Sequence, residues 1–495
     1  MNINTNSKKV LLIYPKTGFD PIKPRMPSSF IYLGAILQRE GYEPIIVDTR
    51  VEKDYKKKIT HHLKDSIAVG ITTMTGSQIN FALSCSKFVR KINPKIKIIW
   101  GGVHPTLLPE QTIKNRFIDI IIMGEGDLTL PNLIRALENK SDLSAIKGIT
   151  YKTENGTIIS NENAPLVSKD NLISPNWKLI NHQKYRIFDV QSARGCPWRC
   201  TYCYNVMFNR RMWRPKPPQQ VVNEIEEIIT KFGVKEINFI DDNFITDLNR
   251  AKAIMEEIIR RKLNFTWRTN WRVDYFDRFD QNFLKLAYQS GLRELQFGCE
   301  SGSQRILDLI KKDQTVKQII NAVRMANASG IQAQCSFMIG FPWETEEDNK
   351  KTFDLIDQLR NISPRVLINM IAIYTPYPGS ELYEISKEFG YRPPKTLEQW
   401  GNYSYTYVNV PWIKGMKKWR YESISYISRF YFYEKEMRQK FITPFLFVPY
   451  TFLNLNAKIR WKLRFFSWPL EWIIVKKFLD YRNRRQLKQL RRDIN

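Results

Sequence analysis

Three cysteines within eight residues carry the strongest chemical signal in this sequence. Cys196, Cys200 and Cys203 lie in the segment SARGCPWRCTYCYN with the spacing C-x₃-C-x₂-C. Thiolates are soft ligands that suit iron–sulfur clusters or zinc. A structural zinc normally has four protein ligands, and here the nearest histidine is the distant His182. We therefore favour a cluster with one iron left open to a small molecule over a zinc knuckle or three core thiols.

Alternating strand and helix signals surround these cysteines. Apolar runs separated by helical patterns lie at residues 187–191, 236–240, 264–268, 294–298, 333–339 and 366–373. Six strands with helices between them predict a partial (β/α)₆ barrel over 187–400, with its chemistry on the loops after the strands. The cysteines directly follow the first strand. Cys299 and Cys335 lie within apolar runs and are expected to be core thiols.

This cysteine spacing after the first strand of a barrel resembles the radical S-adenosylmethionine (SAM) superfamily. In that family the open iron is chelated by the amino and carboxylate groups of SAM, and one electron cleaves SAM into methionine and a 5′-deoxyadenosyl radical. The resemblance implies a [4Fe-4S] cluster held by the three cysteines, bound SAM, and an electron donor such as flavodoxin or ferredoxin.

The same resemblance assigns SAM contacts to residues near later strand ends. Helix caps or turns are the alternative for the aspartates, and a structural ion pair is the alternative for the arginine. The implied contacts are Tyr202 on the adenine, Asp241 and Asp242 at the amino group, Glu300 and Ser301 at the ribose or carboxylate, and Arg268 at the carboxylate.

The first part of the chain predicts a second α/β domain. Short apolar runs alternate with helical patterns over residues 1–145, which indicates a doubly wound, Rossmann-like sheet that binds its ligand at the carboxyl ends of the strands. Residues 146–186 are interpreted as a hairpin, with Asn155-Gly156 at its turn, followed by a linker.

A doubly wound domain before such a barrel resembles the cobalamin-binding radical SAM enzymes, which include the anaerobic Mg-protoporphyrin cyclases and the class B methyltransferases. Tyr14-Pro15 and the segments GGVHPT and GEGD carry this resemblance. The D-x-H-x-x-G motif that supplies a cobalt ligand elsewhere is absent, so a domain that only shapes the substrate cavity is the alternative. The cobalamin-contacting residues implied are Gly101, Gly102, His104, Gly124 and Gly126.

The last region, residues 401–495, is predicted to be a basic, aromatic, helical extension. From Pro411 onward it holds 20 Lys and Arg against 6 Asp and Glu, half of the chain's net charge of +28. Tryptophans and cations around the segment 468–475 suit a helix lying on an anionic membrane surface. A helical subdomain that closes the barrel is the equal alternative, and nucleic acid is ranked lower.

These features together predict a radical SAM enzyme. The favoured reaction is cobalamin-dependent C-methylation of a hydrophobic, lipid-like or secondary-metabolite substrate. A cobalamin-independent cyclase or oxidoreductase and a tRNA-modifying enzyme are the alternatives. Clustered rather than dispersed cysteines, and the lack of a signal-peptide pattern or a long apolar run, predict a cytoplasmic protein, peripheral at the inner face of the membrane if the tail binds lipid.

Overall fold

The N-terminal part of the chain forms a seven-stranded sheet in the order β2-β1-β3-β4-β5-β6-β7. This computed structural model describes residues 8–432 except 19, 21 and 22, and residues 444–481 except 469, 472, 475 and 478–480. The strands are β1 (Lys9–Tyr14), β2 (Glu43–Asp48), β3 (Ser66–Thr72), β4 (Lys97–Gly101), β5 (Ile120–Ile122), β6 (Ile149–Lys152) and β7 (Ile158–Ser160). The helices are α1 (Ser28–Arg39), α2 (Tyr55–Leu63), α3 (Gln78–Ile92), α4 (Val103–Leu107), α5 (Pro109–Ile113) and α6 (Gly126–Asn139).

Strand β1 shows why this sheet is covered on both faces. Val10, Leu11, Leu12 and Ile13 are all fully buried. Successive side chains of a strand point to opposite faces, and here Val10 and Leu12 join one apolar cluster while Leu11 and Ile13 join another. β1 to β5 are parallel, so their carboxyl ends share one edge of the sheet.

The predicted hairpin does not stand apart from this sheet. β6 pairs antiparallel with β5, and β7 pairs antiparallel with β6. The turn lies at Asn155-Gly156, and Gly156 has φ of +85°. The hairpin thereby supplies hydrogen bonds to an edge of β5 that would otherwise stay unpaired. The division of the chain at residue 145 remains a prediction.

The second sheet is a parallel partial barrel. Six of its strands lie side by side in the order β15-β14-β13-β12-β11-β8, which confirms the predicted fold class. Its strands are β8 (Phe188–Val190), β11 (Glu236–Phe239), β12 (Thr266–Asn270), β13 (Leu292–Glu300), β14 (Gln332–Ile339) and β15 (Leu367–Ile368), with β16 (Ala372–Ile373) also on β14 and the short pair β9 (Ala193–Arg194) and β10 (Arg214–Pro215) beside them. The helices are α7 (Asn205–Phe208), α8 (Pro218–Phe232), α9 (Leu248–Arg260), α10 (Gln281–Gln289), α11 (Gln304–Leu309), α12 (Val316–Ala328) and α13 (Glu346–Ile362).

The sixth predicted strand is interrupted. β15 and β16 both pair with β14, but Asn369 between them donates from its side chain to Oγ of Ser336 at 2.8 Å. The backbone N–H of Ile371 donates to Oγ of Ser428, on a later helix, at 2.9 Å. The Ser428 hydroxyl therefore takes a hydrogen bond that a continuous strand would have made with its neighbour, whereas the backbone N–H of Asn369 still donates to the carbonyl of Cys335 on β14 at 2.8 Å.

Further helices follow in the C-terminal part of the described chain. α16 is buried over most of its length and contacts β16, so this helix packs against the last barrel strand. No helix in the described part of the chain is long and apolar enough to cross a membrane. Of the predicted basic tail, Lys476 to Arg492, residues 478–480 and 482–492 lie outside the described residues. The helices are α14 (Glu381–Glu388), α15 (Leu397–Trp400), α16 (Gly415–Phe432) and α17 (Pro444–Lys462).

Candidate functional site

The cysteine loop follows β8, and two aspartates hold its beginning. The N–H of Ser192 donates to Oδ1 of Asp241 at 2.7 Å, and the Ser192 hydroxyl bonds to the same carboxylate. The N–H of Gly195 donates to Oδ2 of Asp242 at 3.1 Å. Burial raises the pKa of Asp241 to about 6. The aspartates thus orient the loop, and their contact with the SAM amino group stays a prediction.

Glycine is the only residue type that fits at position 195, at the start of the cysteine loop. Its φ is +83°, and a Cβ there would lie 2.0 Å from the carbonyl oxygen of Met212. The close approach arises because β9 and β10 pair directly beside the cysteines. A side chain at this position would push the loop away from the strand that supports it.

Arg272 places a cation beside the Cys200 sulfur, and the sequence analysis missed it. Its Nη1 lies 3.8 Å from Sγ of Cys200, and its guanidinium stacks on the Trp198 ring at 3.8 Å. Its Nη2 donates to the carbonyl of Lys312 at 2.6 Å, and its Nε donates to Asp274 at 2.8 Å. Its place just after the third barrel strand could have marked it. The arginine therefore fixes the loop and adds positive charge beside the thiols.

The three cysteines fit an iron–sulfur cluster better than a single ion. Cys200 is buried, whereas Cys196 and Cys203 are partly open. Within the described residues, no three His, Cys, Asp or Glu side chains converge on one metal ion. Thiolates that each bind a different iron need no common centre, and a cation such as Arg272 suits the negative charge of a thiolate-bound cluster. Cys299 and Cys335 are fully buried core thiols, as predicted.

Tyr202, Glu300 and Lys312 form a buried charged group next to the cysteines. The Tyr202 hydroxyl donates to Oε1 of Glu300 at 2.9 Å. The Lys312 ammonium lies 3.1 Å from the same oxygen and 3.0 Å from the Tyr202 hydroxyl. Burial raises the pKa of Tyr202, and the negative charge of Glu300 raises it further, so the phenol stays protonated. Packing of Tyr202 on adenine remains a prediction.

Local backbone features make room for this charged group. A Cβ on Gly298 would lie 2.5 Å from Oε1 of Glu300 and 2.9 Å from Nζ of Lys312. Glu300 itself has φ of +61°, an unfavourable value for a residue with a side chain. Burial opposes the charged form of Lys312, but the carboxylate of Glu300 outweighs it and holds the pKa of Lys312 above its ordinary value. The strand end is shaped around a fixed ion pair.

Ser301 and Arg268 have structural partners. Ser301 is fully buried, and its hydroxyl lies 3.2 Å from that of Thr352 on α13. Arg268 lies within β12 rather than at its end, with Nη1 3.8 Å from Oε1 of Glu294. Ser301 thus joins β13 to the neighbouring helix α13. Arg268 makes an ion pair with Glu294, which was the alternative to a SAM contact. Their SAM contacts stay predictions.

The barrel mouth suits a zwitterionic ligand such as SAM. Buried Oδ1 of Asn243 and Oγ1 of Thr269 have no hydrogen-bond partner within the described residues. Buried polar atoms are normally paired, so such atoms at the carboxyl edge of a barrel invite a polar ligand. Lys312 offers a positive charge for a carboxylate, and Glu300 offers a negative charge for an amino group or hydroxyl. The residues present therefore fit SAM.

The carboxyl edge of the first sheet holds the residues assigned to cobalamin. Gly102 has φ of +97°, and a Cβ there would lie 2.6 Å from the carbonyl oxygen of Thr73, so this glycine serves close packing. His104 is fully buried, and its Nδ1 lies 3.0 Å from Oγ1 of Thr75. Burial lowers the pKa of His104 to about 3, so the ring is neutral.

The same edge retains space and unpaired polar atoms. Gly124 has φ of +78° with nothing within 4 Å of an added Cβ, whereas a Cβ on Gly126 would meet Leu33 at 3.2 Å. Nε2 of His104 and Oγ1 of Thr73 have no hydrogen-bond partner in the part of the chain that is described. An open, polar strand edge fits a corrinoid with its amide side chains. Gly101 is the last residue of β4 at this edge and is half-buried.

A buried ion-pair network joins this edge to the cysteine loop. Nη1 of Arg194 lies 2.9 Å from Oδ2 of Asp127 and 3.3 Å from Oε1 of Glu125. Nη1 of Arg214 lies 2.7 Å from Oε2 of Glu125. α4 also contacts α7, the helix that directly follows the cysteines. The carboxyl edge of the first sheet therefore lies against the mouth of the barrel.

Glu344, like Arg272 and Lys312, was missed by the sequence analysis. It follows β14 in the segment GFPWE, and its carboxylate accepts the N–H of Gly340. The side chain is buried, and burial raises its pKa from 4.5 to about 8. A carboxylate four residues after a strand-end glycine was a usable signal.

Comparison with known proteins gives the class that this fold and site define. Residues 190–356 match the Radical SAM superfamily, and residues 27–134 match the B12 binding domain. The molecule is a radical SAM enzyme with a B12-binding domain before its barrel. The cofactors predicted from the sequence, a [4Fe-4S] cluster, SAM and cobalamin, are those of the two matched domain families.

Two relatives place the chain more narrowly. A Pyrococcus horikoshii protein described as an uncharacterized methyltransferase is 32% identical over 390 residues, covering 76% of this chain and 82% of the relative. The anaerobic magnesium-protoporphyrin IX monomethyl ester cyclase of Rubrivivax gelatinosus is 30% identical over 395 residues, covering 76% of this chain and 69% of the cyclase. The chain belongs to this family of B12-binding-domain radical SAM proteins.

Solved structures share the architecture. The cobalamin-dependent SAM radical enzyme OxsB, with aqua-cobalamin bound, has a TM-score of 0.71 at 18% identity, covering 91% of this chain and 72% of OxsB. The methyltransferase TsrM of Kitasatospora setae, with cobalamin and a [4Fe-4S] cluster bound, has a TM-score of 0.65 at 18% identity, covering 78% of this chain and 76% of TsrM. At these identities the likeness concerns the fold.

Proposed function

We propose that this enzyme methylates an unactivated carbon of a hydrophobic, lipid-like or secondary-metabolite substrate in a cobalamin-dependent reaction. The observation that carries the proposal is the ion-pair network between Arg194 and the carboxylates of Glu125 and Asp127. Arg194 lies two residues before the first cysteine, and the two acids belong to the B12-type sheet edge. A reaction that needs both cofactors requires this apposition of the two binding edges.

Each cofactor would be held by residues already described. Cys196, Cys200 and Cys203 would hold the cluster, with Arg272 beside them as a positioning residue. Lys312 and Glu300 would bind the charged ends of SAM, and the loops after β1, β3, β4 and β5 would hold the corrinoid. When bound, the cluster supplies an electron to SAM and the corrinoid supplies a methyl group. The chain's own task is to orient these groups and exclude water between the two edges.

Electron delivery would come from a flavodoxin or ferredoxin. Arg199, Arg210 and Arg211 are exposed on or beside the cysteine loop. Small electron carriers are commonly acidic, and a basic surface beside the cluster would steer such a partner by charge. We expect the reduction rate to fall as salt is added.

A cyclase or oxidoreductase reaction without methyl transfer is the second candidate. The relative that favours it is the Rubrivivax gelatinosus cyclase, at 30% identity. Modification of tRNA, the other alternative, draws no support from a particular described residue. Corrinoid content and methyl transfer separate methylation from the cyclase alternative.

The test is anaerobic purification with cobalamin supplied, followed by cofactor analysis and incubation with methyl-labelled SAM and a reductant. If the enzyme methylates its substrate, we expect it to bind stoichiometric corrinoid. The reaction should form 5′-deoxyadenosine, and S-adenosylhomocysteine from the SAM that gives up its methyl group. A protein with cluster and 5′-deoxyadenosine but no corrinoid would overturn the methylation proposal. Cys200→Ala should abolish cluster absorbance and SAM cleavage, whereas the buried Cys85→Ala, outside the site, should retain both.

A further inference from the structure

One side of α17 carries an exposed apolar stripe, formed by Phe452, Leu455, Ile459 and Leu463 just after the helix. Their exposed fractions are 64%, 57%, 50% and 71%. Spacings of three and four residues place these side chains on one side of a helix. Single exposed apolar residues are ordinary, but a continuous row marks an interaction surface.

The opposite side of α17 is firmly anchored, so the stripe is presented on a fixed helix. Trp461 is 1% exposed, and its indole N–H donates to Oδ1 of Asp357 on α13 at 2.8 Å. Asn454 donates from its side chain to the carbonyl of Phe430 on α16 at 2.7 Å. These contacts bury one helix face against the protein and leave the stripe facing outward.

The segment after α17 adds to this surface. Arg460 donates to the carbonyl of Trp468 at 2.9 Å and pairs with Glu471 at 2.7 Å, which folds the segment back beside the helix. Trp468, Leu470 and Ile474 are then exposed by 66%, 65% and 69%. Tryptophan prefers the boundary between water and lipid headgroups, because its ring is apolar and its N–H is polar.

The charge of this region selects the partner. Residues 444–477 contain six Lys and Arg against one acid, Glu471, which is paired with Arg460. Lys462, next to the stripe, is exposed. A second copy of the chain would bring this excess of cations face to face, which disfavours self-association. An anionic lipid surface offers both an apolar layer for the stripe and negative charge for the flanking cations.

We propose that the α17 surface, comprising the stripe together with Trp468, Leu470 and Ile474, lies on an anionic membrane with its apolar side chains at headgroup depth. The contact is peripheral, because no described helix is long and apolar enough to cross the bilayer. This inference goes beyond the proposed reaction and does not depend on it.

The test is co-sedimentation of the full-length protein with vesicles of phosphatidylcholine alone or mixed with phosphatidylglycerol. We expect binding to the mixed vesicles, weaker binding to neutral ones, and loss of binding at high salt. The variant Ile459→Glu/Leu463→Glu should bind mixed vesicles about 10-fold more weakly or worse, because it removes two apolar contacts and adds two negative charges.

The matched control is Ile259→Glu/Met416→Glu, which adds the same charge at exposed positions elsewhere. It should bind as the wild type does, and both variants should keep wild-type thermal unfolding and iron content. Equal binding of the stripe variant and the wild type would overturn the proposal, as would absence of wild-type binding. A wild-type dimer that becomes monomeric in the stripe variant would also overturn it, since a second copy would then cover the stripe.

Discussion

The ammonium of Lys312 lies 3.1 Å from Oε1 of Glu300, with only about a tenth of either side chain exposed. The Tyr202 hydroxyl, one residue before the third cysteine, donates to the same oxygen at 2.9 Å. The cysteine loop, the end of β13 and the segment after α11 therefore meet at one carboxylate. In such a dry environment each partner depends on the other for its charge.

Glu300→Gln should impair both folding and SAM binding. The substitution leaves the Lys312 ammonium buried without a counter-charge, which we expect to lower the free energy of unfolding by about 3–5 kcal/mol. SAM affinity should fall about 10-fold or more through loss of a charged hydrogen bond, as measured by anaerobic calorimetry. Glu224→Gln is the control, because it breaks another buried ion pair, with Nζ of Lys216 2.7 Å from Oε1, outside the residues assigned to SAM. Comparable SAM affinity in the two variants would remove Glu300 from the binding site.

Arg272→Lys should lower the reduction potential of the cluster. The guanidinium donates toward the Cys200 sulfur and stacks on Trp198, and lysine cannot reproduce this fork. Hydrogen bonds to cluster sulfurs raise the potential, so losing one makes reduction harder. Potentiometric titration followed by electron paramagnetic resonance measures the shift. Arg278→Lys, which alters a similar stack on Tyr275, should leave the potential unchanged; a potential unchanged by Arg272→Lys would contradict the assigned role.

Glu344 should make stability depend on pH. Its folded pKa is raised from 4.5 to about 8, so the folded protein keeps a proton that the unfolded chain releases above 4.5. The resulting stabilisation is fully present below 4.5 and is lost as pH rises through about 8.

Glu344→Gln should flatten this dependence, because the amide stays neutral at every pH. Thermal unfolding of the two proteins at a series of pH values in that interval measures the difference in slope. The exposed Glu347→Gln serves as the control and should follow the wild type. Parallel curves for the wild type and Glu344→Gln would show that the buried carboxyl does not retain its proton.

Trp400→Ala should loosen the contact between the two α/β parts of the molecule. Trp400 is fully buried, donates to Oε1 of Gln111 at 2.7 Å and packs on the His104 ring. Truncation of a buried tryptophan costs about 3–5 kcal/mol. Denaturant unfolding of Trp400→Ala should show this loss, whereas Trp468→Ala, 66% exposed, should unfold like the wild type. Similar stabilities for the two variants would mean that Trp400 does not secure this contact.

The local pattern of the sequence was sufficient for the fold class and for placing the three cysteines in one loop after a strand. The spacing of Cys196, Cys200 and Cys203 is a local property, because ligands within one loop keep nearly the same geometry in any fold that supports them. The buried strands are recognisable in the sequence as short apolar runs, because parallel strands covered on both faces are apolar throughout. The sixth strand is interrupted at Ile371, because its backbone N–H donates to the hydroxyl of Ser428, 57 residues away in sequence.

Only the tertiary structure decided which charged groups meet. Tyr202 and Lys312 lie 110 residues apart, and Arg194 and Asp127 lie 67 apart, so neither pairing leaves a mark on the local sequence. Asp241 and Asp242 were correctly located at a strand end, but their orientation toward Ser192 and Gly195 follows from how the cysteine loop folds back on the barrel. Hydrogen bonds and ion pairs act over a few ångströms. The order of the strands in each sheet determines which side chains come within that distance.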